Sequence, residues 1–201
     1  FALLPYATVH YHGAHAHIRD LPIGTHVHGT FYLPPKGEEE TIPEPPEDLK
    51  KYALKHNHAL RLEDDFSFYQ RHGRRWTIQA VNLEVHKIDV EPKGDAGAPG
   101  INEPYTFDLV DTMRIWKGRT LVDVDELKPG AEVLFNQAWG ENSRDKEFSL
   151  RDVWLDDAAR KAATELQRKR HVNLQRQRWA PAVITDVEDF DYGGGIMKLT
   201  L

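Results

Sequence analysis

The segments "IRDLPIGTHVHG" (18–29) and "VDELKPGAEVLF" (124–135) align Leu21 with Leu127, Gly24 with Gly130 and Val27 with Val133 at one offset. "TIQAVNLEVHKIDV" (77–90) and "VITDVEDFDYGGGIMKL" (183–199) place Ile78 on Ile184 and Val81 on Val187 at that same offset. A constant displacement across distant matches constrains the chain strongly, because a repeated sequence has to fold as a repeated unit. With small insertions the match extends to Thr8 with Thr112, His12 with Trp116, Gly13 with Gly118 and Trp76 with Trp179. "RLEDDF" (61–66) pairs in the same way with "LRDVWL" (150–155). The chain reads as two copies of one unit.

Within that unit, turn residues recur between short runs that alternate apolar and polar, which is the pattern of strands and not of helix pairs. Strands are expected over 6–12, 25–32, 60–69, 75–82, 85–91, 104–116, 131–139, 148–155, 181–187 and 195–201. "PPKGEEETIPEPPEDLKK" is acidic and proline-rich, and reads as a solvated excursion leading to a helical turn near Leu49–Leu54. One long helix is expected over 156–178, with Asp156 and Asp157 at its start and basic residues in its last turns, as the helix dipole favours. Its first half carries an apolar stripe of Leu155, Ala159, Ala162, Ala163 and Leu166. Its second half carries Arg168, Lys169, Arg170, Arg176 and Arg178, which read as a solvated face.

The order of strands between 75 and 155 is that of an OB-type barrel. "YTFDLVDTMRIWKGRTLVDVDELKPGAEVLFN" resembles the middle of small, uncharacterised bacterial OB-like β-barrel domains, in which a Thr-x-x-Trp-x-Gly strand precedes Asp/Glu-Leu-Lys-Pro-Gly. "VWLDDAARKAATELQRKRHVNLQRQRWAPAVITDV" is similar to a recurring segment of uncharacterised exported proteins. The resemblance covers about half the chain. Its motifs are turn and core residues, so it implies a fold and a periplasmic or extracellular location but no activity. The expected class is all-β with one long helix, built as two tandem OB-like barrels. Residues 75–155 form a central barrel, and 1–69 with 179–201 form a second barrel closed by both termini, a circularly permuted repeat. Residues 156–178 connect them.

Composition narrows the function. The chain has 201 residues and a formal charge of −6, which gives no global field for nucleic acid or an anionic membrane. Single-strand binding, a common use of OB barrels, therefore stands behind other readings. Cysteine is absent, which excludes disulfides, thiolate metal sites and a cysteine nucleophile. No apolar run reaches the roughly 20 residues of a spanning helix, so no membrane insertion is expected. Because the chain begins at Phe1 and not Met, removal of a leader and export are expected. The sequence has no Gly-x-Ser-x-Gly elbow, phosphate-binding glycine loop, His-Glu-x-x-His helix or dinucleotide fingerprint, and a non-enzymatic protein is expected. The acid run Glu63-Asp64-Asp65 contains one residue, Asp64, that matches an acid of the second copy, Asp152, and it reads as structural. A binding or assembly role, with self-association or a protein partner, is the leading reading.

The principal rival is a transition-metal site. "VHYHGAHAHIRD" (9–20) and "THVH" (25–28) concentrate histidines in the first copy, and none of their equivalents in the second copy is histidine. Residues two apart on a strand share a face, so His10 with His12 and His26 with His28 form pairs that adjacent strands could join into four imidazoles. Such a donor set suits zinc or copper. Aligned against Arg114, Trp116, Glu132 and Leu134, His10 and His26 are expected to be exposed, and His12 and His28 partly buried.

Overall fold

The structure is a computed structural model that describes residues 2–32, 36–37, 58–94, 103–139, 148–178, 183–189 and 195–200. Both the expected helical turn near Leu49–Leu54 and Trp179 lie outside these residues. The chain divides into two compact units, Phe1–Arg168 and Lys169–Leu201.

The first unit opens with β1 (Ala2–Tyr11) and β2 (Ala14–Ala16), a 3-10 turn at Ile18–Asp20, β3 (Val27–Tyr32), β4 (His58–Asp64) and α1 (Asp65–Arg71). These strands form one sheet in the order β2-β1-β4-β3, with β1 parallel to β4 and β3 antiparallel to it. There follow β5 (Arg75–Asn82), β6 (Lys87–Lys93), β7 (Tyr105–Asp108), β8 (Arg114–Lys117), β9 (Thr120–Val122), a 3-10 turn at Val124–Glu126, β10 (Glu132–Trp139), β11 (Phe148–Trp154) and α2 (Asp157–Arg178). Their sheet has seven strands in the order β7-β6-β5-β10-β11-β8-β9. In the second unit β12 (Val183–Asp189) pairs antiparallel with β13 (Gly195–Thr200). The protein is mostly β with two helices. Among the described residues neither of the larger sheets closes on itself: β2 and β3 edge one, β7 and β9 the other. Among these residues, too, no helix is long and apolar enough to cross a membrane.

Three expected elements differ. The run 60–69 is not one strand, because Asp64 takes an extended conformation and its side chain accepts the Ser67 N–H, starting α1 at Asp65. The run 104–116 is two strands, separated where Leu109 N–H donates to His86 O and Met113 N–H to Val110 O. In α2, Leu166 is exposed and Gln167 is buried, since the Gln167 amide donates to His15 O and Asp20 Oδ2 at 3.4 and 3.1 Å.

The succession β1-β2-turn-β3-β4-α1 matches β8-β9-turn-β10-β11-α2. Register matches as well: Val9 faces Ala16 as Ile115 faces Val122, and His28 faces Glu63 as Leu134 faces Trp154. This pairing corrects the sequence alignment in the hairpin, where His10 corresponds to Trp116 and His12 to Gly118. Both His12 and Gly118 have positive φ, 50° and 58°. In its hydrogen bonds, however, Asp64 resembles Asp156 and not Asp152. Asp64 accepts the His12 and Ser67 N–H groups, and Asp156 accepts those of Gly118 and Ala159. In each case one carboxylate ties a hairpin turn to the start of the following helix. Asp152 is hydrogen-bonded in a different way, to Arg114 Nη2 and Trp116 Nε1.

The main core runs from the seven-stranded sheet to α1 through Phe66, Tyr69, Trp76, Phe107 and Phe135. Each such side chain contributes about 1.5–3 kcal/mol by leaving water. Against that core, the buried Asp64 carboxylate also accepts Asn136 Nδ2 at 2.7 Å. Asp64→Ala strands several buried donors and should lower unfolding free energy by about 3 kcal/mol in urea titration. A loss below about 1 kcal/mol would show that the carboxylate does not hold these elements together.

Candidate metal centre

Gly24 begins the construction of the site. Its φ is +86°, and a Cβ there would meet Trp139 O at 2.8 Å, so this turn requires glycine. The close approach lets Trp139 N–H donate to Gly24 O and His26 N–H donate to Gln137 O, at 2.7 and 3.0 Å. The entry to β3 is thereby fastened to the end of β10, and His26 and His28 emerge beside the start of α1.

Asp65 is the first residue of that helix and is completely buried. Its Oδ2 accepts the Gln137 backbone N–H at 2.8 Å. Its Oδ1 meets His26 Nδ1 at 2.6 Å and His28 Nε2 at 2.9 Å, with Gln137 Nε2 at 3.5 Å. The His28 ring lies flat on Phe68, centroids 3.7 Å apart, while His26 sits edge-on to Phe148 at 4.7 Å. Aromatic walls thus fix both rings. The side chains of His26 and His28 keep 30% and 17% of their exposure, against 0% for Asp65, so the cluster opens to water on the histidine side.

Electrostatics follow from this geometry. Burial pushes the His26 imidazole down, but the Asp65 hydrogen bond and charge outweigh it and hold His26 above its ordinary value. Burial pushes the Asp65 carboxyl up, and the hydrogen bonds and charges of His26 and His28 outweigh that, leaving it below the usual carboxylate value. The two rings and the carboxylate each offer one ligand atom, all within 4.8 Å of one another. Two imidazoles and a carboxylate with an open side can take a divalent transition ion and leave positions for water.

The four histidines singled out by sequence part company here. His26 and His28 come together around Asp65. His12 lies beyond the end of β1, and its left-handed backbone breaks the alternation that would have set it beside His10. Its ring stacks on Tyr11 and meets Trp154 edge-on, with centroids at 3.8 and 4.9 Å. His10 stands across from His15 on β2. All four are half-buried. Asp65 was the residue missed. Asp64, an N-cap residue type, followed at once by a second carboxylate in the first turn is a helix-start signal that would have moved Asp65 from strand to helix N-terminus.

No protein-family model and no curated protein matches the chain. Two solved structures from Escherichia coli are similar: a tryptophan-to-alanine variant of CusF with Cu(II), and CusF with Ag(I). Identity is 19% and 18%, over 42% of this chain and 89% and 90% of those chains, with a TM-score of 0.29 in both cases. At that score the likeness carries no argument about ligand.

The His26–Asp65 pair gives a pH dependence whose sign is fixed. A raised histidine stabilises the fold below its unfolded value, and this is lost as pH rises through the folded value. A lowered carboxyl stabilises above its unfolded value, and this is lost as pH falls through the folded value. The stability gap between wild type and His26→Ala should therefore be largest between about pH 4 and pH 6.5 and shrink above it. Denaturant titrations across pH read this directly. A gap that grows steadily towards pH 9 would contradict the ion pair.

Proposed function

We propose that this protein is a non-enzymatic binding protein that holds Zn(II) or Cu(II) through His26, His28 and Asp65. The observation that carries the reading is the convergence of two imidazoles on one oxygen of a completely buried carboxylate. The matching segment supports it. We infer that the first and second runs of five elements are copies of one unit, and the second copy has Glu132 and Leu134 where the first has His26 and His28. In that copy Leu134 is core and Glu132 is ion-paired with Lys93 at the surface, so the frame itself does not require imidazoles.

A metal would replace the proton shared within the cluster. Neutral imidazole offers the lone pair, so binding competes with the His26 imidazolium and releases protons. Asp65 is held by Gln137 N–H through its other oxygen, which leaves Oδ1 to serve as ligand. With nitrogen and oxygen donors and no sulfur at the site, the set favours divalent zinc or copper over Cu(I) or Ag(I).

Titration calorimetry with Zn(II) should show saturable binding that strengthens from pH 6 to pH 8. His26→Ala should weaken it by at least about tenfold, by loss of one ligand. His26 is the most exposed member, so its variant keeps the fold; Asp65→Asn provides the stricter test of the oxygen ligand. Unchanged affinity in both variants would reduce the cluster to a structural ion pair.

A further inference from the structure

Beyond this centre, a row of polar side chains crosses the whole first sheet. His15 on β2 faces His10 on β1, His10 faces Glu63 on β4, and Glu63 faces His28 on β3. Register partners on neighbouring strands share a face, and strands are about 4.8 Å apart, so the row runs about 14 Å from His15 to His28. Glu63 in the middle is occupied: Arg71 donates to it through Nε and Nη2, at 2.9 and 2.6 Å. That bidentate pair separates the His10–His15 end from the His26–His28–Asp65 end.

We propose that His10 and His15 form a second transition-metal site, a two-imidazole site for Cu(II), distinct from the centre at Asp65. The rings face each other across the hairpin with centroids 4.6 Å apart and planes tilted by 37°, close enough for one ion to bridge two ring nitrogens. His10 Nδ1 is buried and has no hydrogen-bond partner among the described residues, so this ring carries a buried nitrogen the protein fold leaves unused. Burial, then the neighbouring His15, holds the His10 imidazole below its ordinary value, which keeps its lone pair available at neutral pH. Two imidazole nitrogens suit Cu(II), the strongest binder in the divalent series, and leave the remaining positions to water. His15 is exposed, so the bound ion would exchange with solvent.

The test is the copper stoichiometry of the full chain, by equilibrium dialysis against Cu(II) in a non-coordinating buffer, with electron paramagnetic resonance of each sample. Wild type should bind one equivalent more than His15→Ala, and the lost signal should carry the nitrogen hyperfine pattern of two imidazoles. His26→Ala should lose a different equivalent and retain that pattern. Because His15 is exposed, its removal leaves the packed face of the sheet intact, and His10→Ala should repeat the same loss. If His15→Ala and His10→Ala each bind as much Cu(II) as wild type, the second site is refuted, whatever the behaviour of His26→Ala. If His15→Ala loses copper while His26→Ala does not, the pair stands and the centre at Asp65 is not a copper site.

Discussion

Two consecutive carboxylates, Asp64 and Asp65, are both removed from water, and the arrangement of the first unit follows from satisfying them. A buried charge without partners costs several kcal/mol, so each oxygen has to be met by a donor. Asp64 draws in Ser67 N–H at the helix start, His12 N–H at the hairpin and Asn136 from β10. Asp65 draws in Gln137 N–H, His26 and His28. Neighbouring residues of one chain thus fasten the hairpin, β3, β10 and α1 to a common point. Asn136 completes the knot, because its carbonyl accepts Phe66 N–H while its amide serves Asp64.

The same constraint explains why the site is chemically poised. A carboxylate needed only for folding could be met by backbone donors, as Asp64 largely is. Asp65 is met by two imidazole nitrogens, and the aromatic rings of Phe68 and Phe148 hold them in place. On the proposed reading, rings already held by Phe68 and Phe148 would lose less entropy on binding an ion. What opposes binding is the ion pair itself. On that reading a metal would gain the carboxylate only by displacing a proton from the His26–Asp65 pair, so proton and metal would compete for one position.

The strand-rich class was legible in the sequence, but the two closed barrels expected from it are not found among the described residues, whose larger sheets stay open. Repeated Leu-x-x-Gly turns showed where β3 and β10 begin, and their glycines do carry positive φ, 86° at Gly24 and 84° at Gly130. Periodicity failed at 65–69, where Phe66 and Phe68 mimic an alternating strand while a capping carboxylate makes the segment helical. That single error hid Asp65, since a strand would have sent its side chain elsewhere. Spacing paired His10 with His12 because alternation was assumed to persist to residue 12, but a non-glycine residue adopts the left-handed conformation there and ends the strand. Its partner His15 was invisible for a different reason. Cross-strand register depends on hairpin geometry, which the residue types alone did not fix.

X-ray absorption at the zinc edge of the loaded protein tests the central claim most directly, since it reads the atoms bonded to the ion. Two imidazole scatterers with at least one additional oxygen, at Zn–N and Zn–O distances of about 2.0–2.2 Å, are the expected first shell. Replacing Asp65 by Asn should lengthen or remove an oxygen contribution while both imidazoles remain. A shell of oxygen alone, or one with a single imidazole, would contradict a centre built from His26, His28 and Asp65.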